Sequence, residues 1–131
     1  MVEFGTQETL TLEANADLSN KQYHFLRYVA TEKCDQASHN ASDALVGVLQ
    51  NKPQSSEFAT VAVFGLSKLV AGAAITAGNL LTTNGSGRAV SAAPASGSTV
   101  YIAGRALSAA GADGDVITAL VFPTQKLSGT P

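Results

Sequence analysis

One cassette of residues occurs twice in this chain, and any fold must accommodate both copies. Residues 100–107 (VYIAGRAL), a soft polar turn over 108–114 and residues 115–122 (DVITALVF) form the clearer copy. Residues 44–49 (ALVGVL), another polar turn and residues 57–64 (EFATVAVF) repeat the same order of features. Gly47 answers to Gly104, 57 positions on, while Glu57, Thr60, Val63 and Phe64 answer to Asp115, Thr118, Val121 and Phe122, 58 positions on. One residue was therefore gained in the turn. The register reaches back to residues 18–21 (LSNK) and 75–78 (ITAG), again 57 apart. The chain reads as a degenerate tandem duplication over 18–64 and 75–122.

Each unit alone buries too little apolar surface to be stable, so the two must share one core. The period is too long, and the copies too few, for a solenoid. The expectation is one β domain over 15–123, preceded by an N-terminal arm (1–14) and followed by a loose tail (124–131), with Pro123 closing the last strand.

Between these landmarks the pattern is one of short strands. Thr9 to Leu12 alternates with period two, with Phe4 ahead of it, and lies outside the repeat. Such a strand either completes the chain's own sheet or pairs with a neighbour's edge. Residues 23–29 (YHFLRYV) are aromatic and β-branched and read as a strand; residues 31–43 are polar and read as a loop. Gly65, Gly72 and Gly78 argue against a helix over the alanine-rich 66–75, which reads as a strand near 66–70 and then a turn. Residues 80–83 run into an Asn-Gly hairpin signal at 84–87, and 88–90 return. The fold class is all-β: a small barrel or clip-like (β-tulip-type) domain built from two tandem degenerate repeats, with an extended arm.

Charge narrows the function. Charged residues make up 14% of the chain against about a quarter in ordinary globular chains, and the net charge is −2. That gives no basic footprint for nucleic acid or an anionic membrane. Glu3, Glu8, Glu13 and Asp17 all precede the first Lys or Arg, and from 58 to 112 the only charges are Lys68, Arg88 and Arg105. So charge-poor a middle is expected to be covered in part by another protein. The most apolar window, 58–81, is broken by Lys68, glycines and hydroxyls and is no membrane span. The start lacks the basic and apolar regions of a signal peptide, so synthesis in a cytoplasm is expected.

Reactive groups are scarce. His24 and His39 have no partner at metal-ligand spacing, and no metal or cofactor is expected. Cys34, the single cysteine, reads as a bystander although Lys33 and Asp35 flank it. Glu57 and Asp115 are equivalent acids that could pair as a carboxylate dyad, but their place after turns favours a turn-stabilising role. Residues 85–88 (GSGR) and 65–68 (GLSK) lack phosphate-loop spacing. No catalytic residue, no small-molecule substrate and no nucleic acid are expected.

Residues 66–82 (LSKLVAGAAITAGNLLT), continuing through 85–90 (GSGRAV), 102–107 (IAGRAL), the acidic turn and 116–122, resemble the decoration, or capsid cement, proteins of tailed bacteriophages. The likeness covers roughly 58–122, and the front half follows through the internal repeat. The resemblance implies a non-enzymatic structural protein of the virion, made in the host cytoplasm. It would bind the outer surface of an icosahedral shell of major capsid protein, as a homotrimer, and cement neighbouring capsomers. On this reading Phe4, Thr9, Leu10, Thr11 and Leu12 would contact the capsid or a neighbour, and Leu66, Leu69, Val70 and Ile75 would lie between protomers. Removing residues 1–14 is then expected to abolish shell binding and spare the fold. The alternatives are an adhesive or carbohydrate-binding β module at the virion surface and, more distantly, a small β enzyme using Glu57 and Asp115.

Overall fold

The computed structural model describes residues 7–39, 44–94 and 96–129, and all regular structure in it is strand. In chain order these are β1 (Gln7–Ala14), β2 (Phe25–Ala30), β3 (Lys33–Gln36), β4 (Leu45–Leu49), β5 (Phe58–Val70), β6 (Leu80–Thr83), β7 (Ala89–Ser91), β8 (Thr99–Ala106) and β9 (Val116–Ser128). They form one sheet in the order β1-β3-β2-β4-β5-β9-β8-β6-β7, and an extra β1–β5 pairing closes the first five strands into a barrel. Its interior is Ala14, Leu18, Leu26, Cys34, Leu49, Ala59 and Val61, with Leu12, Val46 and Val63 at the margin.

The remaining strands make a second, looser ring. β5 runs from the first barrel into it: residues 58–62 face β1 and β4, and residues 65–70 pair with β9. The handover falls at Gly65, whose φ of 109° is accessible mainly to glycine. β9, β8, β6 and β7 continue the ring, and an Ala71–Ala89 bridge joins its ends. Leu69, Ala71, Ile75, Leu81, Ala89, Ala103, Ala106, Ile117, Ala119 and Val121 fill it, and Phe25, Leu45 and Val48 pack onto the same core from β2 and β4.

The two rings repeat much of one another's pairing. The β1–β5 partners Leu12–Ala59 and Glu13–Phe58 match the β5–β9 partners Leu69–Ile117 and Val70–Val116. The β4–β5 partners Val48–Ala62 and Leu49–Val61 match Arg105–Leu120 and Ala106–Ala119. In the turns, Ala14 N–H donates to the Glu57 carbonyl and Leu18 N–H to that of Pro53; Ala71 and Ile75 donate likewise to Asp115 and Ala110. These matches begin at β1, further back than residue 18, so Thr9 to Leu12 stands in the first ring where Leu66 to Leu69 stands in the second.

Three strand expectations differ from the structure. The polar run 31–43 contains β3, whose one inward side chain, Cys34, is fully buried. Four residues with a single core position carry too little pattern to see. Residues 58–64 and 66–70 form one strand, because Gly65 bends the backbone without ending it. The tail expected from 124 is instead strand as far as Ser128, with Gln125, Lys126 and Leu127 opposite Ile102, Tyr101 and Val100. Pro123 has no N–H to give, and the β8–β9 register slips beside it between Ile102 and Gly104, so the ladder passes round it.

Candidate functional site

The two acids that occupy matched positions are consumed by their turns. Glu57 Oε1 accepts from the Gln54 N–H at 2.6 Å, and Asp115 Oδ2 accepts from the N–H groups of Gly111 and Ala112 at 2.8 and 3.1 Å. Each carboxylate therefore holds the turn ahead of its own strand, the role that its position suggested.

The histidines and the cysteine are placed by packing. His24 is buried, and its Nδ1 lies 3.1 Å from the Gln22 carbonyl. Burial lowers its pKa, and the charges of Lys21 and Arg88 act in the same direction. His39 lies on the surface. Cys34 is sealed in the first barrel, and burial, helped by Asp35, pushes its thiol up to about 11. Among the described residues no cluster of His, Cys, Asp or Glu could hold a metal ion, and no helix is long and apolar enough to cross a membrane.

These shifts set a pH dependence with opposite signs at the two ends. The unfolded chain protonates His24 more readily than the native one. Its contribution to stability is therefore present above 6.5 and is lost as pH falls through the lower native value. The native Cys34 thiol keeps its proton longer than the unfolded one. Its contribution is present below 9.0 and is lost as pH rises towards about 11. Thermal melts across pH should show that Cys34→Ala flattens the alkaline limb and leaves the acid limb unchanged. Alanine fits, since Ala89 fills the matched core position in the second ring.

The expected contact residues divide by exposure. Thr9, Leu10 and Thr11 lie exposed on β1, and Leu12 turns inward against the barrel core. Among the described residues, β1 pairs with β5 from Gln7 to Glu13 on one edge, while its other edge is paired only at Glu13 and Ala14. Phe4 lies outside the described residues. In the second group, Leu69 and Ile75 are buried in the second core and offer nothing to a neighbour. The glycine-rich sequence around them gave no clear strand face, and the alternation that starts at Gly65 turns Leu69 inward. Leu66 and Val70 point the other way, half-exposed, opposite Leu120 and the exposed Val116. These four side chains form an apolar outer face around Lys68 and Thr118, with Phe58 and Phe64 exposed further along β5.

Sequence reasoning missed one feature, a polar cleft of about 360 Å³ lined by Gln7, Tyr23, Gln50, Ser67 and Lys68. Gln50 donates to Ser67 Oγ at 2.9 Å and Gln7 to the Leu66 carbonyl at 2.8 Å. The Lys68 ammonium sits 5.9 Å from the centre of the Tyr23 ring. Its residues come from four separate segments, so no local motif announces it.

A sequence model of the phage cement protein family matches residues 5–121. This chain belongs to the phage cement protein family. That makes it a structural component of a phage virion, from a family that is not one of enzymes. No curated protein matches the cement-family chain. Among solved structures it is similar to the head fiber gp8.5 N base of bacteriophage phi29, with a TM-score of 0.65 at 21% identity over 88% of this chain and 94% of that one. That likeness concerns the fold alone.

Proposed function

We propose that this protein decorates the outer surface of an icosahedral phage head, made in the host cytoplasm and added to a shell of major capsid protein, where it cements neighbouring capsomers. It acts by covering surface and not by transforming a substrate. The observation that carries the reading is the exposed, half-paired β1 in a chain of the cement family. An open strand edge accepts a strand from a partner, and Leu10 beside it, 40% exposed, adds an apolar contact. Thr9, Leu10 and Thr11 are the capsid-facing residues on this reading. The outer face of Leu66, Val70, Val116 and Leu120 packs between the protomers of a homotrimer, since an apolar sheet face of this kind is stable when covered. The matched hydrogen bonds of the two rings support descent from one duplicated unit.

Co-sedimentation with expanded empty capsids tests the assignment. Wild-type protein should pellet with the shells, and Leu10→Glu should stay in the supernatant while keeping its circular dichroism spectrum and melting temperature. Light scattering should give the mass of three chains, reduced to one by Val70→Glu. Leu10→Glu that pellets as wild type would remove the β1 assignment. A monomer at every concentration would remove the trimer.

A further inference from the structure

The two matched rings carry different side chains around the polar cleft. Tyr23, and not Lys21 as the sequence register of 57 implied, occupies the backbone position of Gly78: Tyr23 N–H donates to the Leu49 carbonyl and Gly78 N–H to that of Ala106, with φ of 65° and 96°. Gln50 and Leu107 also correspond, each donating its N–H to the matched Thr60 or Thr118 carbonyl. Gln7 lies opposite Gly65 on β1, beyond a slip in the β1–β5 register between Glu8 and Thr9 that the β5–β9 pairing lacks. A tyrosine in the left-handed region is strained, and glycine does the same backbone work in the other ring. The strain is thus not required by the fold, and what it places is a phenol in the wall of a cleft.

We propose that this cleft binds one unit of a hydroxyl-rich saccharide. The Tyr23 ring supplies a flat face for the C–H side of a sugar. Around it stand polar groups left over from internal bonding. Among the described residues, the Tyr23 hydroxyl and Gln7 Oε1 have no hydrogen-bond partner, and the Lys68 ammonium has no carboxylate. A donor-acceptor phenol, an amide acceptor and a cation match vicinal hydroxyl groups, which donate and accept at once. A small anion is a poorer fit, because among the described residues Lys68 is the sole charge lining the cleft and Gln7 Oε1 would face the anion. An apolar ligand would strand every one of these groups. The volume lies at the small end of ligand clefts, about 300–1,000 Å³, which suits a single sugar unit. The proposal does not depend on shell binding, it requires the Lys68 end of the outer face to stay uncovered between protomers, and its test uses the isolated protein.

Glucose, N-acetylglucosamine and N-acetylneuraminic acid, titrated separately into the isotopically labelled full chain, should shift amide resonances at Gln7, Tyr23, Gln50, Ser67 and Lys68 for at least one sugar. Tyr23→Gly should weaken that sugar by about three- to tenfold, the worth of one aromatic face. It should keep the wild-type spectrum elsewhere, since Gly78 already shows glycine serving in this conformation. Gln7→Ala should weaken binding independently. No shift with any of the three sugars, an unchanged affinity in Tyr23→Gly, or the same shifts from acetate or inorganic phosphate would each overturn the proposal.

Discussion

Gly47→Ala should lower the melting temperature by roughly 10 °C, a loss of about 3 kcal/mol, while the matched Gly104→Ala should cost only about 1 kcal/mol. A Cβ at Gly47 would lie 2.1 Å from the Ala62 carbonyl oxygen and 2.9 Å from Val61 Cγ1. At Gly104 it would meet the Leu120 carbonyl oxygen at 3.1 Å. The first approach is against rigid backbone in the neighbouring strand, so β4 and β5 must separate where both barrel and second core depend on them. The second is relieved by a few tenths of an ångström. Parallel thermal melts of the two variants measure the difference directly. Equal melting temperatures would mean that β4 does not lie as close to β5 as described.

Removing residues 1–14 should destroy the cooperative fold, against the expectation that an arm could be cut away harmlessly. β1 is the strand that closes the first barrel, pairing with β5 from Gln7 to Glu13 and with β3 at Glu13 and Ala14. It also supplies Leu12 and the fully buried Ala14 to the core. Its loss opens the inner faces of β3 and β5 to water together, including Cys34, Ala59 and Val61. Losing a strand ladder and two core side chains costs several kcal/mol, against a total of about 5–15 kcal/mol for a domain. The truncated chain should give collapsed amide dispersion and a broad melt. A sharp native-like spectrum would show that the barrel closes without β1. For this reason shell binding is better probed by point substitution at Leu10 than by truncation.

The repeat was legible because it fixed register. Gly47 and Gly104, the Thr60 and Thr118 pair and the acids Glu57 and Asp115 all take equivalent structural places. What the sequence hid was the extent of the unit. β1 and the second half of β5 do the same work, but TLTLE and LSKLV share alternation and little identity. Partner strands read mainly the backbone, so side-chain likeness at such an edge decays freely. β3 was invisible for a related reason, having one core residue among polar neighbours. Leu69 and Ile75 were misassigned because an apolar run shows that something is buried without showing by what. The polar cleft depends on the meeting of β1, the 50–51 turn and β5 with the strained Tyr23, which only the folded chain displays.

Because β5 belongs to both rings, their joint is a continuous polypeptide and not a seam of side chains. Pulling the rings apart along that strand puts the backbone at Gly65 under tension and loads the ladders on either side in shear. Bonds sheared as a set must yield together, whereas a peeled hairpin yields one bond at a time. A protein joined in this way resists stretching along one axis far more than its modest core would suggest.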